Sequence, residues 1–111
     1  MKYDPIGKGG KLGQCFTPDA VADIVAAAMP SDGPVFDACC GSGSLIGAVV
    51  RRWLREGREP AWIVPRVSAC DVDPIQVAGC VERLVEFLGE EHRDELSRRV
   101  VVADFRELLP R

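Results

Sequence analysis

Residues 35–43 read Val-Phe-Asp-Ala-Cys-Cys-Gly-Ser-Gly, an apolar run that closes on an acid and then turns through two glycines one residue apart. Val35–Ala38 has the length and composition of a short buried strand, and Cys40-Gly41-Ser42-Gly43 reads as a tight loop. A helix is expected directly after it, with Leu45, Ile46, Val49, Val50, Trp53 and Leu54 on one face and arginines on the other. Gly57 then stands where a helix-ending glycine belongs.

The same strand–turn–helix logic extends downstream. Residues 58–65 contain two prolines and read as a loop. Val67–Cys70 resumes as a strand and ends at Asp71, after which Asp73-Pro74 opens a third helix by the cap-then-proline rule. Its expected apolar stripe is Ile75, Ala78, Val81, Leu84, Val85 and Leu88, with Gly89 as its end. Residues 90–99 are a charged, partly helical stretch, and Val100–Ala103 forms a third strand that runs into Asp104-Phe105. Upstream, Thr17 is the expected N-cap and Pro18 the first position of a helix carrying Val21, Ile24, Val25 and Ala28 inward. The Pro30–Pro34 segment stops that helix. Strands alternating with helices predict an α/β domain, a short parallel sheet of about three strands with flanking helices. Residues 1–13 are rich in Gly and Lys without apolar period and are expected to be a flexible arm, leaving 14–111 as the domain.

Composition narrows the functional classes. The chain has 111 residues, enough for one small domain, and its 47% apolar content suits a packed core. No apolar run approaches the ~20 residues of a membrane span and no secretory leader precedes the domain, so a cytoplasmic location is expected. Five cysteines without a C-x-x-C spacing (Cys15, Cys39, Cys40, Cys70, Cys80) read as small reduced thiols, with no metal site. The net charge is −3 and the cluster Arg51, Arg52, Arg55, Arg58 reads as a solvated helix face, so DNA binding is expected only within a larger complex. His92 sits in the charged stretch and reads as a surface residue, leaving no obvious general base.

The chemistry gathers at the strand ends. Asp37, Asp71 and Asp104 each close a strand, and in an open parallel sheet ligands bind beyond the carboxyl ends. Three acids beside a glycine loop describe a nucleoside site. The glycines exclude a dinucleotide, whose fingerprint requires glycine where Ile46 stands. The spacing Asp37-x-x-x-Gly41-x-Gly43 instead suits a cofactor without pyrophosphate.

Taken in order, GQCFTPDAVADIVAA, VFDACCGSGSLI, ACDVDPIQVAGC and VVVADF resemble the amino-methylating adenine DNA methyltransferases, and most of all the modification subunits of type I restriction systems. The resemblance runs from about Leu12 to Phe105, and Phe16-Thr17-Pro18 ahead of the acid–glycine motif is its most specific part. It implies a partial Rossmann-like methyltransferase fold and S-adenosyl-L-methionine as cofactor. It implies that Thr17 contacts the methionine carboxylate while Gln14 and Phe16 shape the pocket. Asp37, Ala38, Cys39, Gly41 and Gly43 would wrap the methionine end and ribose. Asp71 would hold the ribose hydroxyls, Val72 would pack on the adenine, Asp104 would accept from its amino group, and Phe105 would lie near the ring.

This sequence departs from the family pattern in two respects. Ala38-Cys39 stands where proline and alanine are usual, and no N-P-P, D-P-P or S-P-P tripeptide occurs in the 111 residues. The family's N-P-P-Y-type motif holds a flipped adenine, so no catalytic residue is assigned and the chain alone is expected to be inactive. Two other readings compete: a non-catalytic nucleoside-binding regulatory or interaction module, and a methyltransferase for another substrate. In the family the sheet continues beyond the first strand, so the edge Val35–Asp37 is expected to pair with a second copy or with a partner bearing the catalytic half.

Overall fold

The computed structural model describes residues 2–3, 15–16, 18–29 and 32–108. The central feature is a three-stranded parallel sheet of β3 (Val35–Asp37), β4 (Val67–Asp71) and β5 (Val100–Val102), in that spatial order. The register pairs Val35 with Val67 and Asp37 with Ala69, then Ala69 with Val100 and Asp71 with Val102. Separately, β1 (Lys2–Tyr3) and β2 (Cys15–Phe16) form a two-stranded antiparallel ladder. The helices are α1 (Asp19–Ala28), α2 (Ser44–Arg55), α3 (Pro60–Ile63), α4 (Pro74–Leu88) and α5 (Arg93–Arg99). The architecture is the expected α/β one, a partial Rossmann-like sheet flanked by helices.

Strand β4 lies between two neighbours, which is why Val67, Ala69, Cys70 and Asp71 are all buried, as a central parallel strand requires. Val67, Ala69 and Val100 join Ile46, Val50 and Trp53 of α2 and Leu84 and Leu88 of α4 in one core. Phe36, Ser68, Cys70 and Val101 share the other face by the two-residue alternation. Among the described residues β3 pairs on one side only, so Val35–Asp37 is an edge of this sheet.

Two helices bury a different stripe from the expected one. Helix α1 turns Ala22 and Ala26 inward and leaves Ile24 and Val25 exposed. Small residues one turn apart let α1 lie close on α2, and arginines of α2 hold it there. Arg51 pairs with Asp23 at 2.6 Å, while Arg52 donates to the carbonyls of Ala26 and Met29, each at 2.5 Å. These bonds satisfy carbonyls that a helix end leaves open. In α4 the buried residues are Val77, Cys80, Val81, Leu84, Val85 and Leu88, whereas Ile75 is 80% exposed and Ala78 is also exposed.

The two-proline segment is not a plain loop. Glu59 precedes α3, Pro60 occupies its first turn, and a 3₁₀ turn, Val64–Arg66, leads into β4. This brings Trp62 against the buried Trp53, edge to face at 5.3 Å between ring centres, with the guanidinium groups of Arg58 and Arg66 stacked on Trp62. The charged stretch is a 3₁₀ turn (Glu90–His92) followed by α5, and Arg93 ties it to Glu82 and Glu90. Thr17, expected as the cap of α1, lies outside the described residues; Pro18 precedes the helix and makes no side-chain cap. Among the described residues no helix is long and apolar enough to cross a membrane.

Candidate functional site

The turn after β3 is built from backbone amides and one buried carboxylate. The Cys40 amide donates to the Cys70 carbonyl at 2.9 Å, and the Gly43 amide to the Cys40 carbonyl at 2.8 Å. The Gly41 amide donates to Oδ2 of Asp71 at 2.9 Å. Gly41 and Gly43 both have positive φ, +52° and +94°, a region that glycine enters without cost. At Gly43 a Cβ would also lie 3.1 Å from the Cys80 sulfur and 3.4 Å from the Cys80 Cα. Gly43→Ala is therefore expected to lower the unfolding free energy by about 1–3 kcal/mol. Gly33→Ala, with nothing within 4 Å of the added carbon, should stay within about 0.5 kcal/mol of the parent. Urea denaturation of the pair checks this, and equal midpoints would show that the turn carries no constraint.

Asp71 closes β4 with its side chain turned inward, at 2% exposure. Its Oδ1 accepts from the Asp73 amide at 2.9 Å while its Oδ2 holds Gly41, so one carboxylate joins the glycine turn to the start of α4. The Cys39 sulfur lies 3.9 Å from the same Oδ2. Asp73 in turn caps α4, its Oδ1 accepting from Ile75 N at 2.9 Å, as the sequence leads one to expect.

Asp37, the last residue of β3, accepts from the Cys39 amide at 3.2 Å. Burial raises its carboxyl above the usual range, the Cys39 bond opposes that, and the Asp71 charge adds to it. A raised folded-state pKa means the native chain binds the proton more tightly than the unfolded one, so ionised Asp37 weakens the fold above that pKa. Asp37→Asn keeps an oxygen for Cys39 and is expected to melt higher than the parent at pH 7. The gap should close as the pH falls through the ordinary carboxylate range near 3.9. A pH series of thermal melts tests this, and a gap that widens in acid would contradict it.

Asp104 follows β5 and starts the 3₁₀ turn Phe105–Leu108. The Arg106 amide donates to its Oδ1 at 3.0 Å, and the Arg106 guanidinium grips both oxygens, with Nη2 to Oδ2 at 2.5 Å. That ion pair and the amide bond hold the Asp104 carboxyl down at about 2. Val72, 44% exposed, and Phe105, 40% exposed, leave apolar surface after β4 and β5.

Three of the expected site positions fall at the amino-terminal end. Gln14 and Thr17 lie outside the described residues, and Phe16 is placed in β2 opposite Lys2. The others end or follow the adjacent strands β3, β4 and β5. Sequence reasoning missed Arg106, although an arginine two residues after a strand-ending acid was a visible signal. Cys40 and, on α4, Cys80 are both buried, and the Cys80 thiol together with burial pushes the Cys40 thiol up. Among the described residues no group of His, Cys, Asp and Glu is arranged to hold a metal ion.

The family profile of the N-6 DNA methylases matches residues 4–60, more than half of the chain, including the F-T-P segment and the turn after β3. No curated protein and no solved structure matches it.

Proposed function

The chain belongs to the N-6 DNA methylase family, and on that premise we propose that residues 14–111 form the S-adenosylmethionine-binding part of an adenine-specific DNA methyltransferase. The observation that carries this reading is the Asp37–Gly43 turn, drawn onto buried Asp71 at the carboxyl end of the central strand. Backbone without Cβ atoms at Gly41 and Gly43 can approach a ligand closely. Asp37, Asp71 and Asp104 offer negative charge to a cofactor whose sulfonium and ammonium groups are cationic. When bound, S-adenosylmethionine supplies an activated methyl group.

The family resemblance assigns the roles. By it, Gln14, Phe16 and Thr17 would take the methionine end together with Ala38 and Cys39 of the turn. Val72 and Phe105 bound the adenine ring, and Asp104 accepts from its amino group. Ribose hydroxyls would bond Asp71 through the lone pairs that the Gly41 and Asp73 amides leave open, which requires Asp71, 2% exposed, to be uncovered as the nucleoside enters. Transfer to DNA requires a group that holds a flipped adenine, and no N-P-P-type tripeptide is among these residues. We place that motif on a segment or partner chain that extends the sheet beside β3, in an assembly of the type I modification kind acting in the cytoplasm.

Calorimetric titration of the folded chain with S-adenosylmethionine tests the reading. Saturable binding is the expected result, and a folded chain that takes up no cofactor would overturn it.

A further inference from the structure

We infer that Arg106 is a latch on the adenine subsite: its guanidinium holds the Asp104 carboxylate, and the amino group of an arriving adenine displaces it. The inference rests on the reading of Asp104 as the nucleoside's acceptor. Nε of Arg106 lies 3.0 Å from Oδ1 and 3.1 Å from Oδ2, and Nη2 lies 2.5 Å from Oδ2. An exocyclic amino group is also a donor and needs the same oxygen edge, so the two donors compete for one acceptor.

The geometry suits exchange. The Arg106 side chain is 76% exposed, so water can solvate its guanidinium when it parts from the carboxylate. Asp104 stays in place when it does, because the Arg106 backbone amide bonds Oδ1 independently at 3.0 Å and keeps the turn capped. Phe105 lies between the two residues in sequence and is exposed, so apolar surface for a ring accompanies the latched acceptor. An exposed ion pair is weak, which sets the size of the effect: releasing it should tighten nucleoside binding about 2- to 5-fold.

Two measurements on the 111-residue chain test this. Carbon-13 NMR of the Asp104 carboxyl should show titration at about 2 in the parent and a rise toward the ordinary range in Arg106→Ala. An ordinary value in the parent would mean the pair is not made, and the latch would fall whatever the cofactor does. Calorimetry with S-adenosylmethionine should show Arg106→Ala binding more tightly than the parent, with no such gain when Asp104→Asn is already present. Equal or weaker binding by Arg106→Ala, or a gain that survives Asp104→Asn, would overturn the latch. If the low titration is found but neither the parent nor Arg106→Ala binds cofactor, the cofactor reading fails and the pair is only a turn cap.

Discussion

Asp71→Ala is expected to lose part of the fold and, on the proposed reading, most of the affinity for S-adenosylmethionine. The substitution leaves the Gly41 and Asp73 amides without their acceptor, and bonds to a charged group are worth about 1.5–3 kcal/mol each. Relief of the repulsion that Asp71 exerts on Asp37 offsets a small part of this. The expected loss is about 2–5 kcal/mol of unfolding free energy, within reach of the whole stability of a small domain. Binding of S-adenosylmethionine should weaken by at least about tenfold, because the turn proposed to form the site is no longer held.

Asp71→Asn separates charge from hydrogen bonding. One amide oxygen can serve either Gly41 or Asp73, but the amino group then faces the other backbone donor. It should therefore fall between the parent and alanine in urea midpoint, and the Asp37 carboxyl should titrate lower in it, since the Asp71 charge is gone. An alanine variant as stable as the parent would show that the buried carboxylate does not organise the turn.

Trp53→Ala carries the other large effect, and it acts on stability. Trp53 is fully buried on α2 and meets Trp62 edge to face. Truncating a buried tryptophan costs about 3–5 kcal/mol, since the lost contacts are joined by a cavity. Here the cavity would open beneath Trp62 and loosen the α3 segment that leads into β4. The Trp53 indole nitrogen has no hydrogen-bond partner among the described residues. Trp53→Phe removes that unpaired donor and keeps a ring, so it should cost far less than alanine. With two tryptophans in the chain, either variant leaves Trp62 as the sole reporter for fluorescence-monitored urea unfolding. Equal midpoints for phenylalanine and alanine would mean the aromatic contact contributes nothing.

The strands of the parallel α/β sheet, the three longer helices that flank them, the glycine turn and the caps at Asp73 and Gly57 were legible in the sequence, whereas α3 and the Lys2–Tyr3 strand were not. The turn and the caps are local matters, decided within one turn of chain by positive-φ glycines and side chains that bond their own backbone, while the sheet follows from the alternation of strand and helix along the chain. Which face of a helix turns inward is not local. The α1 segment Asp19–Ala28 is apolar on several sides, and only the arginines of α2, some 25 residues away, select Ala22 and Ala26 over Ile24 and Val25. Ile75 has the right period for burial, yet the first turn of α4 leaves it in solvent. The acids followed the same division. Their places at the strand ends were legible, but how deeply each is buried depended on what packs around it. Asp71 turns inward because the distant Gly41 amide and the near Asp73 amide converge on it, whereas half-buried Asp104 is capped by Arg106, only two residues on. A carboxylate takes the nearest donors that folding supplies, and at Asp71 it is the tertiary structure that brings the Gly41 amide, 30 residues away, within reach.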